Sequence, residues 1–504
     1  MDKLAFLEGN NIKIIAPNEF QIIDKIRELP GRKYFGEYWM TPACPETIDS
    51  LILWGFEIDL KLDLFKKDLE AQKDNVINST ITGNPYPFQK EGVAFISYKN
   101  GSALIGDDPG LGKTIQAIIW MQQNNIQNVL VVCPASLKLN WQNEIKKWTN
   151  RDSEILSGIN PYQPTENILI INYDILEPWF NYLNPELIII DEAQYIRCDS
   201  NRAKTVIKLC KSIPYKIALS GTPVEGKRND IYNLWKILSP DNCPTKNVFK
   251  RLNNNELHNN IKTFMIRRIK SEVLKELPEK TRVFIPVELT NRDEYNRAEN
   301  NFISYIKKQK GLEAAKRAKN AISFTKIESL KQITAKGKME PVKEWIKTFL
   351  QSGQKLVVFC THTFVINELF EAFPGSLKMD GSTSMADRQK AVESFQNDPK
   401  INLFIGMLDI EGRPAGVGWT LTASYSTATI ELQWNPKIHD QAEDRVHRIR
   451  QKNAVFSYYL LAKNTIEEKI ASLQDKKRLM IDSVVDNTIT ESLLSELMNE
   501  YSKT

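Results

Sequence analysis

The stretch ALIGDDPGLGKTIQAI, residues 103–118, closes on Gly110-Leu111-Gly112-Lys113-Thr114. Two glycines let backbone N–H groups approach an anion, a lysine supplies a point charge, and a threonine hydroxyl can hold a divalent cation; together they suit a nucleotide's phosphates. Asp108, Pro109, Gly110, Leu111, Gly112, Lys113 and Thr114 are the candidate phosphate-binding set. The usual spacing asks for glycine at position 107, where this chain has Asp107. Aspartate is among the residues that best tolerate a positive φ, so the expectation is an aspartate doing glycine's conformational work. The plainer alternative is a glycine-rich turn with a solvated lysine.

Further residues fit the same chemistry. In ELIIIDEAQYI, Asp191 and Glu192 end an apolar run. A carboxylate there can hold Mg²⁺, and its neighbour can orient or deprotonate a water; an Asp capping a helix is the bland alternative. IALSGTPVEG sets Ser220 and Thr222 after another strand end. QAEDRVHRIRQ spaces Gln441, Arg445 and Arg448 at four and three residues, which on a helix is one face. Two arginines on one face could serve a transferring phosphoryl group; a salt-bridged surface helix using Glu443 and Asp444 is the competing reading. Gln89 in YPFQKEGVAFI could read an adenine edge, or could be a surface glutamine.

These residues need a scaffold. At 504 residues the chain is too long for one core, and 42% hydrophobic with 26% charged residues is ordinary globular composition. No apolar run approaches a membrane span, and MDKLAFLEGNN lacks a signal-peptide layout; the expectation is a cytoplasmic protein of a bacterial or virus-infected cell, nuclear in a eukaryote. Six cysteines without a C-x-x-C pair argue against a zinc module and a disulfide framework. A net charge of +5 permits a polyanionic partner without demanding one.

From about residue 81, short Val/Ile/Leu runs at 103–106, 129–133, 168–172, 187–191 and 216–219 alternate with helical stretches, the pattern of a parallel sheet between helices. It resumes at 355–360, 402–406, 427–432 and 455–461. The expected fold is α/β: two parallel-sheet lobes, a small N-terminal accessory domain and a helical C-terminal tail. The expected boundaries are 1–80, lobe 1 at 81–290, a basic helical connector at 291–340, lobe 2 at 341–475, and the tail at 476–504. Within the connector, Lys307, Lys308, Lys310, Lys316, Arg317 and Lys319 form a basic cluster, with a solvated charged face as its alternative use. The N-terminal segment concentrates Tyr34, Phe35, Tyr38, Trp39, Trp54 and Phe56, with Arg32 and Lys33 beside the first group. Such aromatics can stack on unpaired bases or can make a small core.

The ordered set PFQKEGV, DDPGLGKTIQ, VVCPASLKLNWQNEIKKW, DEAQ, LSGTP, MIRRIKSEVLKELPEK, VVFCTHT, DGSTSMADRQ, GVGWTLTAS, QWNP and QAEDRVHRIRQ resembles the SWI/SNF-type ATPases of helicase superfamily two, over roughly residues 80–470. That resemblance implies RecA-like lobes with ATP and Mg²⁺ between them and double-stranded or branched DNA as the partner. It implies that Gln89 contacts adenine, that Lys113, Asp191, Glu192, Arg445 and Arg448 are catalytic, and that Thr114 and Asp191 hold the metal. Gly418 would help close the site, while Ser136, Asn172, Ser220, Thr222, Thr383 and Trp434 would touch or couple to DNA. Family members commonly carry an acidic residue at the position of Asp107. Two departures stand out: the stretch before Gly416 in LDIEGRPAGVGW looks long, and Arg450 stands where glycine is usual.

The nearest likeness within the family is to the annealing-helicase, HARP-domain branch, and IRELPGRKYFGEYWMTP looks like part of a HARP-type module, with Arg32, Lys33 and Trp39 as candidate DNA contacts. The resulting expectation is a monomeric ATP-driven motor that remodels forks and junctions, with replication or recombination proteins as possible associates. A motor that strips proteins from DNA, and a clamp whose ATP site is regulatory, are the alternatives.

Overall fold

The computed structural model describes residues 3–9, 11–27, 29, 32–43, 45–74, 81–196, 200–221, 229–308, 316–408 and 420–481. By its internal contacts the chain forms two units, Met1–Val273 and Leu274–Thr504.

The first unit opens with a small mixed sheet. Strands β1 (Leu4–Glu8), β2 (Asn11–Ile15), β3 (Lys33–Tyr34), β4 (Trp39–Pro42) and β5 (Glu57–Ile58) lie in the order β3-β4-β2-β1-β5. All pairings are antiparallel except β1 with β5. Alternation turns Ile12 and Ile14 inward onto Ile26, Ile48, Leu51, Phe56 and Leu62, which form this sheet's own core. The sheet is followed by the helix Leu60–Asp74. Phe65 of that helix meets Tyr98 at 5.6 Å, which docks the small sheet onto the helix Pro87–Tyr98.

Next comes a seven-stranded sheet: β6 (Ser102–Ile105), β7 (Val129–Cys133), β8 (Glu154–Ile155), β9 (Ile168–Asn172), β10 (Leu187–Ile190), β11 (Tyr215–Leu219) and β12 (Met265–Ile266), in the order β12-β6-β11-β10-β7-β9-β8. Every pairing is parallel. Helices cover both faces of such a sheet, so its central strands are apolar throughout: all five residues of β7 and all four of β10 are buried. In a parallel sheet all carboxyl ends share one edge. Asp107, Asn172, Asp191 and Ser220 all lie at strand ends there.

The second unit holds a six-stranded parallel sheet: β13 (Lys280–Val287), β14 (Leu356–Cys360), β15 (Leu377–Met379), β16 (Leu403–Met407), β17 (Ser426–Thr429) and β18 (Val455–Ala462), in the order β13-β18-β17-β14-β16-β15. Strand β13 falls within the range expected for the first lobe, yet it pairs with β18 over its whole length. The helices Arg292–Lys308 and Lys316–Gly337, expected as a connector, send Tyr295, Phe302, Ile327, Leu330 and Ala335 into the core of this unit. A fully buried Lys338 ammonium, 2.6 Å from the Glu467 carboxylate, fixes the end of that helical layer to the helix Ile466–Ile481.

Candidate active site

The loop after β6 takes the shape that phosphate binding requires. Gly110 and Gly112 have φ of 88° and 80°, in the region that only glycine enters freely. Gly112 caps the helix Lys113–Gln123, so Lys113 and Thr114 occupy its first turn and the helix N-terminus opens onto the loop. Lys113 Nζ donates to the Asp107 carbonyl at 2.8 Å.

Asp107 does not behave as expected. It is absent from the positive-φ residues, so it replaces glycine without copying glycine's conformation. Its carboxylate is fully buried and forms a bidentate pair with Arg268: Nε donates to Oδ1 at 3.0 Å and Nη2 to Oδ2 at 2.6 Å. Gln116 Nε2 adds a bond to Oδ2 at 2.9 Å, and Arg268 Nη2 also reaches Gln116 Oε1 at 2.9 Å. Arg268 Nη1 donates to the Phe88 carbonyl. A buried charge needs this degree of pairing and hydrogen bonding to be tolerated. Within MIRRIKSEV nothing local signals a role for Arg268, because its partner lies 161 residues away.

Gln89 sits on the helix Pro87–Tyr98 and is buried. Its Oε1 accepts from Tyr86 N–H and its Nε2 donates to the Leu111 carbonyl, both at 3.0 Å. A Cβ on Gly112 would fall 2.4 Å from that amide nitrogen, so the glutamine props the loop directly. An amide has a second lone pair and a second N–H, which leaves capacity for a base edge.

Asp191 and Glu192 follow β10. Asp191 Oδ2 accepts the Trp141 indole N–H at 2.7 Å, and its Oδ1 accepts Glu192 N–H at 2.9 Å. The Tyr173 hydroxyl donates to its carbonyl at 2.6 Å. Burial pushes the Asp191 carboxyl up to about 7, and the Glu192 charge adds to the push; the Trp141 bond, the Glu192 N–H and the Lys113 ammonium pull the other way. Glu192 has a φ of 49°, a conformation rarely held by a residue with a side chain. Gln194 Nε2 donates to the Glu192 carboxylate at 2.6 Å, and Ser220 Oγ donates to Gln194 Oε1 at 2.7 Å. Hydrogen bonds therefore run from Ser220 through Gln194 to Glu192. Gly221 lies against the loop as well: a Cβ there would be 2.9 Å from Pro109 and 3.4 Å from Lys113 Nζ. One ammonium, one hydroxyl, two carboxylates and a helix N-terminus make a donor set that fits a polyphosphate carrying a divalent cation.

The other first-unit candidates have partners of their own or lie apart from the loop. The Ser136 Oγ is buried and finds no hydrogen-bond partner among the described residues. Asn172 is buried, its Oδ1 accepting from Lys138 Nζ at 3.2 Å. Arg32 pairs with Glu256 at 3.2 Å, and Lys33 Nζ donates to the Asp241 carbonyl at 3.4 Å. Trp39 is half-buried against Tyr34, ring centres 4.7 Å apart. Thr222 and Gly418 lie outside the described residues, as do Gly416 and Lys310. The other basic residues named at 307–319 are helical, but their side chains are not among those described.

In the second unit the helix expected to align Gln441, Arg445 and Arg448 runs only from Pro436 to Glu443. Turns come next, so the shared helical face does not exist. Glu443 is the last residue of the helix and its carboxylate is buried, accepting from Lys280 at 2.8 Å, from Arg282 at 2.7 Å and from the Tyr459 hydroxyl at 2.7 Å. Burial opposes its charge, yet the Lys280 charge and the Arg282 hydrogen bonds hold it well below the usual carboxylate range. The acidic residues thus serve β13. Arg445 is buried, and Arg448 Nη1 donates to Thr420 Oγ1 at 2.9 Å, at the end of GVGWT. Arg450 has a φ of 83°: the glycine-like backbone is kept by a residue with a side chain. Thr383 shapes a turn, its Oγ1 accepting from Asp380 N–H at 3.0 Å. Trp434 belongs to the core and donates its indole N–H to Glu328 at 2.8 Å.

The SNF2-related domain model matches residues 88–339, and the helicase conserved C-terminal domain model matches residues 337–450. The chain is 30% identical over 83% of its length to the SWI/SNF-related matrix-associated actin-dependent regulator of chromatin subfamily A-like protein 1 of Xenopus tropicalis, covering 47% of that protein. It is 30% identical over 79% of its length to the human DNA annealing helicase and endonuclease ZRANB3, covering 40% of it. The chain thus spans about half or less of the length of these relatives. Among solved structures, the Sulfolobus solfataricus SWI2/SNF2 ATPase core in complex with dsDNA aligns with 85% of this chain and 97% of its own, at 24% identity and a TM-score of 0.38. With the SNF2-related model spanning half of the chain and meeting the helicase C-terminal model at its end, the chain belongs to the SNF2-related, SWI/SNF-type family.

Proposed function

We propose that the chain is a DNA-dependent ATPase that moves on duplex DNA and remodels branched DNA. The observation that carries this reading is the single sheet edge of the first unit, which gathers Lys113, Asp191, Glu192 and the Ser220–Gln194 relay. In this reading Lys113 and the loop amides hold the β- and γ-phosphates. Thr114 and Asp191 hold Mg²⁺, which supplies charge neutralisation at the phosphates. Glu192, fixed by Gln194, orients the attacking water. Gln89 supports the loop and reads the base, and Arg445 and Arg448 of the second unit stabilise charge on the phosphoryl group being transferred.

Branched DNA as the preferred partner is supported by the N-terminal sheet. Tyr34 and Phe35, at the turn between β3 and β4, are 58% and 54% exposed, while Phe56 is buried and Trp39 and Trp54 pack on the core. Lys13 lies over the Tyr38 ring at 4.2 Å, and Tyr38 stacks on Phe35 at 5.4 Å. Exposed rings beside cations suit unpaired bases, which occur at forks and junctions.

The test is ATP turnover by the full chain on single-stranded, duplex, forked and four-way DNA. Turnover should require DNA and vanish in Lys113→Ala, with DNA binding retained. Tyr34→Ala with Phe35→Ala should lower activity on forks and junctions while sparing duplex-stimulated turnover. A Lys113→Ala protein that hydrolyses ATP at the wild-type rate would refute the site assignment.

A further inference from the structure

The segment that leads out of the first unit runs along the phosphate loop itself. Leu104 N–H donates to the Phe264 carbonyl at 2.8 Å, Gly106 N–H to Ile266 at 2.7 Å, and Asp108 N–H to Arg268 at 3.0 Å. Lys270 N–H then donates to Asp108 Oδ2 at 3.1 Å. Strand β12 is two residues long, but backbone pairing continues past it to Asp108 in the loop. Val273 ends the first unit, and Leu274 begins the second.

Asp107 stands at the centre of this arrangement and faces two ways. Its carbonyl accepts from Lys113, the group that any bound phosphate competes for. Its carboxylate holds Arg268 through both the backbone N–H, at 3.2 Å, and the guanidinium fork. Arg268 in turn grips Gln116, on the helix that carries Lys113 and Thr114, and the Phe88 carbonyl, one residue before Gln89. Every nitrogen of the guanidinium is engaged, which a lysine at this position could not reproduce.

We propose that Arg268 is a positioning residue that transmits the state of the phosphate loop to the segment entering the second unit. When phosphates take up the Lys113 ammonium, the Asp107 carbonyl loses its partner and the peptide shifts. The same residue's carboxylate carries that shift to Arg268 and so to residues 264–272. The inference rests on the reading of the loop as an ATP site.

Hydrogen exchange on the full chain, with and without saturating Mg²⁺·ADP or a slowly hydrolysed ATP analogue, tests it. In the wild type, nucleotide should change exchange severalfold at the amides of 264–272, those of Arg268 and Lys270 above all. Arg268→Lys keeps the charge and loses the fork. It should bind nucleotide within about threefold of wild type by calorimetry, lose the exchange response at 264–272, and lower DNA-stimulated kcat about tenfold or more with little change in KM. Asp107→Asn keeps the shape, removes the charge and should behave alike. An Arg268→Lys protein with a wild-type exchange response overturns the proposal. So does a wild type that binds nucleotide without any change at 264–272, which leaves the ATP reading standing. A wild type that binds no nucleotide sinks the ATP reading and this inference with it. The wild-type comparison decides the matter should either variant fail to fold.

Discussion

Gly92 offers a test whose sign is unusual. It lies in the interior of the helix Pro87–Tyr98 and does not have a positive φ. At an ordinary helical site Gly→Ala would stabilise by about 1 kcal/mol. Here a Cβ would fall 1.7 Å from Gln116 Oε1 and 2.8 Å from Arg268 Nη2, against 3.4 Å for ordinary contact. Gln116 must swing away, and its 2.9 Å bonds to Arg268 and to Asp107 go with it. A hydrogen bond to a charged group is worth about 1.5–3 kcal/mol. Two are at risk, and the helix gain offsets part of the loss, so Gly92→Ala should destabilise the first unit by about 2–5 kcal/mol. Urea unfolding of the full chain, followed through the first unit's transition, gives the number, and ATP turnover should fall in parallel. Gly92→Ala combined with Gln116→Ala removes the clashing atom and should be less unstable than additivity requires. A single Gly92→Ala protein about 1 kcal/mol more stable than wild type would refute the packing argument.

Other outcomes concern the second unit. Arg448→Ala should lower kcat by about a thousandfold with KM within a few-fold, as loss of a transition-state contact does; steady-state kinetics with normal kcat and raised KM would make it a ground-state ligand. Arg450→Gly should relieve about 1 kcal/mol of left-handed strain and keep roughly half of that after glycine's entropic cost, raising the second unit's denaturation midpoint; a lower midpoint would mean the side chain makes contacts that outweigh the strain. Glu443→Gln should cost about 3 kcal/mol by leaving Lys280 and Arg282 short of a charge. Because the folded-state pKa of Glu443 is depressed below 4.5, its stabilisation is present above that value and is lost as pH falls through the folded one, so wild type should lose stability on acidification more steeply than E443Q.

How much of the structure is legible in the sequence depends on distance along the chain. The inner parallel strands show as unbroken apolar runs, such as VLVVC at Val129–Cys133, because both faces are covered. Edge strands have no such signal: β12 is two residues long, and β13 mixes Lys280 and Arg282, which pair with Glu443, and Pro286 with its apolar residues. The phosphate loop can be read because its chemistry is local, from Asp108 to Thr114. Asp107 cannot, since its partner Arg268 comes from the far end of the unit, and the sequence alone suggests a conformational role that the aspartate does not have. The family resemblance assigns Trp434 to DNA, and nothing in its neighbours shows that Glu328 and the core hold it. The arginine face fails for a similar reason. Spacing assumes that the helix continues, and nothing local in the sequence shows that it stops at Glu443 or that the distant Lys280 and Arg282 hold that carboxylate.

The order of strands in the second unit also constrains how the protein is made. β13 is the first strand of that unit to leave the ribosome, and its neighbour β18 is the last, with Lys280 opposite Val455 and Val287 opposite Ala462. The first unit has its whole sheet once Ile266 has emerged, so it can fold while synthesis continues. The second must hold β13 without a partner until Ala462 is available. A nascent chain stalled anywhere in between carries an open strand edge beside a finished nucleotide-binding unit. An open strand edge of this kind is where unwanted pairing with another chain starts, so this interval carries the aggregation risk.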